Sequence, residues 1–231
     1  MINESILRIN VQISRVCSKI NRNPEEISII AVSKGRSLQE IEEAVLVGIT
    51  DIGENKVQEA LLKYNELSRL RPTPYVMKWH MVGHLQTNKV KEAVKIFNLI
   101  QSVDSLHLAA EIDKQAAKIS KIQDILIEVK TSTEATKLGL KPDEAVEVIK
   151  EIAKLENVNL KGLMTIAPLV DNPEKARPYF RMLRELRDKI YELRVTSYEL
   201  QFLSMGMSDD FEVAIEEGSN MVRLGRAIFE G

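Results

Sequence analysis

The chain has 231 residues, 44% of them hydrophobic, and a formal net charge of −2 at pH 7. This length suits one large α/β domain over residues 1–231, and the near-neutral charge without a strongly basic block argues against nucleic-acid binding. No apolar run approaches membrane-spanning length and the N-terminus has no secretory signal, so we expect a cytoplasmic protein without a membrane contact.

The first predicted element is an amphipathic helix near the N-terminus. Apolar residues recur at spacings of three and four from Ile6 to Ile20, and Pro24 follows the pattern. The single cysteine, Cys17, lies within this helix, and a thiol without a partner fits a reducing compartment. This helix precedes the first strand.

Short runs rich in β-branched residues then alternate with segments of helical spacing or composition. The predicted strands are residues 29–32, 49–53, 79–83, 99–103, 125–130, 160–166, 199–205 and 221–225. The predicted helices between them are residues 38–47, 57–70, 88–96, 105–119, 142–155, 173–193 and 209–217. Pro142 and Pro173 suit first helical turns, Ser105 and Ser208 suit N-caps, and Arg71-Pro72-Thr73-Pro74 predicts a rigid loop.

This alternation predicts parallel βαβ units, and eight strands fit a closed (β/α)₈ TIM barrel with an extra N-terminal helix. A doubly wound open sheet is the alternative. No linker-like or low-complexity tract divides the chain, so one domain is the simpler interpretation.

The active site of such a barrel forms at the carboxyl ends of the strands, where Lys34 follows the first strand. An amine near a barrel mouth loses hydration, which disfavours its charged form and frees the lone pair for imine formation. The apolar run before Lys34 predicts that the stem of its side chain is buried. The alternative is a solvated lysine in a surface ion pair.

Two turns with small residues follow the last two strands, at Ser204-Met205-Gly206 and Leu224-Gly225-Arg226. Barrels often bind phosphate there through backbone N–H groups, although each turn alone is a weak signal. A lysine amine together with two such turns suits a covalently bound phosphorylated aldehyde, and pyridoxal 5′-phosphate is the candidate.

The remaining motifs favour structural roles. His80 and His84 are four residues apart, but no third ligand accompanies them, so we predict no metal site. Met205, Met207 and Met221 are predicted to fill the core.

Six segments in order resemble the pyridoxal phosphate homeostasis proteins, which are single-domain relatives of the alanine racemase barrel. The resemblance runs from about Ile27 to the C-terminus. The segments are Ala31-Val32-Ser33-Lys34, Gly53-Glu54-Asn55-Lys56-Val57-Gln58-Glu59, Trp79-His80-Met81-Val82-Gly83-His84-Leu85-Gln86-Thr87-Asn88-Lys89, Gly162-Leu163-Met164-Thr165, Ser204-Met205-Gly206-Met207-Ser208-Asp209 and Arg223-Leu224-Gly225.

The resemblance implies a role for each matching position. Lys34 would form the internal aldimine, Asn55 would lie near the ring oxygen of the cofactor, and Arg223 would face the pyridine nitrogen. The phosphate would be held by Ser204, Gly206, Gly225 and the backbone of Arg226. The pocket would be lined by His80, Gly83, Met164 and Thr165.

Two positions depart from the family pattern. Arg226 stands where threonine is frequent, which removes a hydroxyl from the phosphate site. Lys34-Gly35-Arg36-Ser37 stands where Lys-Thr-Lys-Pro is frequent, which shifts charge at the cofactor entrance.

Three functions of different classes are open. The resemblance implies a non-enzymatic protein that holds pyridoxal 5′-phosphate, buffers the reactive aldehyde and passes it to apo-enzymes. A racemase would need a second catalytic base from a β domain. We expect this base to be missing, because the sequence reaches Gly231 without such a domain. A Schiff-base aldolase acting on sugar phosphates would share the barrel. We expect a monomer or a weak dimer.

Overall fold

Eight parallel strands close into a barrel in chain order, and the eighth strand pairs with the first. This is seen in a computed structural model, which describes residues 1–70, 77–132, 138–196 and 198–231. The predicted (β/α)₈ barrel is confirmed, and the open sheet is wrong. The strands are β1 (Ser28–Val32), β2 (Asp51–Glu54), β3 (Lys78–Met81), β4 (Leu99–Val103), β5 (Gln123–Glu128), β6 (Val158–Met164), β7 (Phe202–Ser204) and β8 (Met221–Leu224).

Helices connect consecutive strands, and the extra N-terminal helix is confirmed. Short 3₁₀ turns at Pro24–Glu26, Thr87–Lys89 and Pro173–Ala176 precede β1 and two of the helices. The predicted loop at Arg71-Pro72-Thr73-Pro74 lies outside the described residues. The helices are α1 (Ile2–Lys19), α2 (Leu38–Leu46), α3 (Val57–Leu70), α4 (Val90–Ile96), α5 (Leu106–Ala117), α6 (Pro142–Ile152), α7 (Arg177–Glu192), α8 (Phe211–Glu216) and α9 (Arg226–Phe229).

A local hydrogen bond explains why β7 is shorter than predicted. β7 begins only at Phe202, because the amide of Gln201 donates within its own turn to the carbonyl of Glu199 at 2.9 Å. Ser105 caps α5 as predicted and accepts from the amide of Leu108 at 3.3 Å.

Two features at the C-terminal end differ from the sequence prediction. Ser208 does not cap α8, because its hydroxyl accepts from the amide of Ala227 at 3.2 Å instead. The helix α9, which contains Ala227, was not predicted.

Apolar residues form two buried groups on opposite sides of the sheet. The larger group fills the space between the strands and the helices and includes Trp79, Phe97 and Phe180. The smaller group lies inside the barrel, because alternate residues of a strand face opposite sides of the sheet. Its members are Ile30, Val82, Leu99, Leu126, Met164 and Met221.

The methionine predictions are confirmed in two cases of three. Met205 and Met221 are buried, whereas Met207 is 37% exposed because it lies in the turn after β7.

Candidate functional site

Lys34 lies in a turn at the carboxyl end of β1. The carbonyl of Ser33 accepts from the amide of Arg36 at 2.9 Å, and the amide of Ser33 makes the last bond of the ladder, to Gly53. Because the chain leaves the sheet at this point, Lys34 is exposed. The predicted burial of its stem and loss of hydration are therefore wrong.

A buried ion cluster makes hydrogen bonds to the backbone of this turn. Lys63 Nζ donates to the carbonyl of Ser33 at 2.6 Å, to Glu54 Oε1 at 2.7 Å and to Glu59 Oε1 at 2.8 Å. Glu59 Oε1 also accepts from the amide of Gly35 at 2.7 Å, and Ser33 Oγ donates to Glu54 Oε1 at 2.5 Å. Both peptide neighbours of Lys34 are thus bonded to the cluster.

This cluster was not predicted from the sequence. Burial raises the pKa of the Glu54 carboxyl, although hydrogen bonds from Lys63 and Ser33 oppose that rise. Two signals in the sequence pointed to it. Glu54 is a carboxylate at the end of a predicted strand, and Glu59 stands four residues before Lys63 in the predicted helix 57–70.

Arg223 lies inside the barrel near the ends of β6, β7 and β8 and is only 4% exposed. Its Nη1 donates to Ser204 Oγ at 2.6 Å and its Nη2 to the carbonyl of Thr165 at 2.8 Å. Burial lowers its pKa to about 10, while the charges of Glu128 and Asp210 oppose that effect. The guanidinium therefore stays protonated at neutral pH.

Ser204 differs from its predicted place in the phosphate turn. It is the last residue of β7, its side chain is fully buried inside the barrel, and its hydroxyl donates to Gln101 Oε1 at 2.6 Å. Since the hydroxyl bonds Gln101 and Arg223, it holds the guanidinium rather than facing the turn.

The turns after β7 and β8 lie side by side, joined by the bond between Ser208 and Ala227. Gly206 has φ +93°, and a Cβ there would lie 2.6 Å from Ala214 Cβ, so no other residue fits without a shift. Among the described residues, the amides of Gly206 and Gly225 have no hydrogen-bond acceptor.

Arg226 begins α9 and is exposed. Its guanidinium pairs with Asp209 of the neighbouring turn. The side chain therefore closes the outer edge of the two turns, while its amide has no acceptor in the part of the chain that the structure describes.

Asn55 and Gly83 meet at the barrel mouth. A Cβ at position 83 would lie 2.6 Å from the carbonyl oxygen of Asn55, so the loops after β2 and β3 touch. Gly83, His84, Lys130 and Ile166 help to line a cavity of about 180 Å³ at this end.

The other three predicted lining residues lie deeper. His80 Nε2 is 2.9 Å from Asp51 Oδ1, at the amino end of β2, and Met164 is fully buried in the barrel interior. Thr165 contributes its carbonyl to Arg223, while its hydroxyl donates to the carbonyl of Val129 at 2.7 Å. The role of His80 in lining the pocket stays a prediction, and in the structure its ring bonds Asp51 and Gln101.

The described ranges contain neither a membrane-spanning helix nor a metal-binding cluster. No helix there is long and apolar enough to cross a bilayer. No group of three or more histidine, cysteine, aspartate or glutamate side chains there is arranged to hold a metal ion.

Comparison with known proteins gives full-length similarities. The family model of the alanine racemase N-terminal domain matches residues 8–231. The pyridoxal phosphate homeostasis protein of Aquifex aeolicus is 43% identical over 226 residues, covering 98% of this chain and 96% of the relative.

Two solved structures are also similar. An unknown protein from Bifidobacterium adolescentis has a TM-score of 0.92 and 33% identity, with 99% of this chain and 94% of the other covered. PipY of Synechococcus elongatus, with PLP bound, has a TM-score of 0.81 and 32% identity, with 94% of this chain and 99% of the other covered.

Proposed function

We propose that this chain, which belongs to the family of pyridoxal phosphate homeostasis proteins with the alanine racemase N-terminal fold, binds pyridoxal 5′-phosphate (PLP) at the carboxyl end of its barrel. The observation that carries the proposal is the pair of turns after β7 and β8. The amides of Gly206 and Gly225 in these turns have no acceptor among the described residues, and the buried cation Arg223 stands two residues before Gly225 on β8. The PLP-bound structure of PipY supports the same ligand.

The residues present fit a phosphorylated ligand. Backbone N–H groups without acceptors bind a dianion well, and the amides of Gly206, Gly225 and Arg226 would serve in this way. Ser204 would act through Arg223 rather than on the phosphate, because its hydroxyl already has two partners. The Arg226 side chain would steady the turn through Asp209.

Lys34 is proposed to bind the aldehyde. Its amine would condense with the aldehyde carbon, releasing one water and forming a C=N bond, and hydrolysis would reverse that step. The two turns and Lys34 are close, since β1 pairs with β8 and a Cβ on Gly225 would lie 3.4 Å from the carbonyl of Val32. An exposed lysine suits a bond that is made and released from solvent.

Arg223 favours a carrier over an enzyme. When bound, PLP supplies an electron sink for carbanion chemistry, and that sink is stronger when the ring nitrogen is protonated. A guanidinium has donors and no acceptor, so a ring nitrogen that faces Arg223 must stay unprotonated. We therefore propose that the protein holds the cofactor, buffers the aldehyde and passes it to apo-enzymes.

The test is covalent trapping at Lys34. Purified protein loaded with PLP should absorb in the visible range, and borohydride should fix one cofactor on the peptide containing Lys34. Lys34→Ala should abolish trapping, whereas Lys56→Ala, which removes another exposed lysine of the same rim, should not. Trapping at the same stoichiometry in Lys34→Ala would assign the bond to another lysine, and a wild type without PLP would overturn the proposal.

A further inference from the structure

A continuous chain of hydrogen bonds crosses the barrel interior from Arg223 to the amino end of β2. Arg223 Nη1 lies 2.6 Å from Ser204 Oγ, which lies 2.6 Å from Gln101 Oε1. Gln101 Nε2 lies 3.0 Å from His80 Nδ1, and His80 Nε2 lies 2.9 Å from Asp51 Oδ1. The first four side chains are buried, and the chain links strands β8, β7, β4, β3 and β2.

Donor and acceptor chemistry gives this chain a single direction. Arg223 can only donate, so Ser204 Oγ accepts from it and gives its one proton to Gln101. The amide of Gln101 must then present Oε1 to Ser204 and Nε2 to the histidine.

The same reasoning assigns the proton of the imidazole. His80 Nδ1 accepts from Gln101, so the ring is neutral with its hydrogen on Nε2, which donates to Asp51.

Asp51, at the far end of this chain of hydrogen bonds, requires the same direction of donation. Burial raises the pKa of the Asp51 carboxyl, but hydrogen bonds from His80 and Thr50 bring it below its ordinary value. Asp51 is thus an ionised, acceptor-only group at neutral pH. With a donor-only cation at one end and an acceptor-only anion at the other, reversing the links of Gln101 would leave the Ser204 proton without an acceptor in this series of bonds and would require a second proton on His80.

We propose that Gln101 and His80 are positioning residues for the ring nitrogen of the cofactor. They keep the Ser204 proton turned away from Arg223, so that the hydroxyl lone pair holds Nη1 and the other N–H groups of the guanidinium stay aimed at the ligand. This inference rests on the proposed function, because the ring nitrogen belongs to PLP.

Binding selectivity tests the inference. Dissociation constants are measured for PLP and for its analogue in which a carbon replaces the ring nitrogen. Gln101→Leu keeps the side-chain volume but interrupts the chain of hydrogen bonds. It should weaken the binding of PLP on the order of tenfold and leave the binding of the analogue unchanged. Gln123→Leu is the matched control, because Gln123 is equally buried on β5 and its side-chain amide donates to the carbonyls of Asn98 and Asp124 rather than to the chain from Arg223 to Asp51.

The outcomes separate the two proposals. Equal weakening of both ligands, or of neither, in folded Gln101→Leu overturns the positioning role alone. A wild type that binds neither ligand overturns the proposed function and the positioning role with it. Gln101→Met serves in place of a Gln101→Leu protein that does not fold.

A readout without cofactor tests the direction of the chain itself. Nitrogen-15 NMR of histidine-labelled protein should show His80 neutral with its proton on Nε2. The carboxylate introduced by Gln101→Glu can only accept, so it should force a proton onto Nδ1 and convert the ring to imidazolium. A proton on Nδ1 in the wild type would overturn the inference.

Discussion

Lys63 donates to the carbonyl of Ser33 at 2.6 Å, from 30 residues further along the chain. Because Ser33 directly precedes Lys34, a buried cation on α3 holds the turn that presents the exposed lysine. The same amine is shared with Glu54, whose side chain is fully buried.

Lys63→Met should destabilise the protein strongly. The change leaves the Glu54 carboxylate buried without its cation, and breaking a buried pair in this way costs about 3–5 kcal/mol. Urea unfolding would measure the loss. Lys95→Met is the control, since the exposed pair of Lys95 with Glu92 is worth about 0–1 kcal/mol. Equal losses in the two variants would mean that the buried cluster stabilises the protein no more than an exposed ion pair does.

Asp51→Asn should change how stability depends on pH. Asp51 has a folded-state pKa below its ordinary value of 3.8, so the unfolded state binds more protons and the carboxylate adds stability above that value. This stability is lost as pH falls through the folded-state pKa. The variant should therefore be less stable than wild type at neutral pH, and the difference should vanish in acid. Unfolding curves across this range would measure it, and a pH-independent difference would contradict the assignment.

Gly225→Val should weaken the binding of the phosphate group without weakening the binding of the rest of the ligand. A Cβ at this position would make only ordinary contacts with Val32, so the fold should tolerate the change. The new side chain would block close approach to the adjacent amides, each worth about 1.5–3 kcal/mol to a charged group. PLP should bind at least tenfold more weakly and unphosphorylated pyridoxal about as before.

Titration of both ligands into wild type and Gly225→Val gives the comparison. Gly206→Ala is the contrasting variant, because its Cβ would lie 2.6 Å from Ala214 Cβ and damage the fold itself. Equal losses of PLP and pyridoxal in Gly225→Val would place the phosphate elsewhere.

The loaded protein should not exchange the Cα hydrogen of amino acids at an ordinary enzyme rate. The physical reason is Arg223, which stays protonated and can only donate to a ring nitrogen that it faces. Single enantiomers of common amino acids, incubated in deuterated water, would be followed by NMR. Sustained exchange that disappears in Lys34→Ala would reinstate the racemase.

The order of strands and helices could be predicted because hydrophobic periodicity is a local property. β4 and α3 have the predicted limits, and six segments were enough to place the chain in its family. Where local hydrogen bonding competes with periodicity, as at Gln201 before β7, the prediction was too long.

The amino-acid sequence by itself determined the (β/α)₈ barrel and the order in which Lys34, Asn55, Gly83, Arg223 and the two glycine turns reach its mouth. Only the tertiary structure decided which way several polar side chains face. Ser204 and His80 belong to recognisable segments, yet both point into the barrel and bond Gln101, a residue without a motif. The reason is that the partner of a buried polar group is set by contacts across the closed sheet, between residues far apart in the chain, and no local pattern records them.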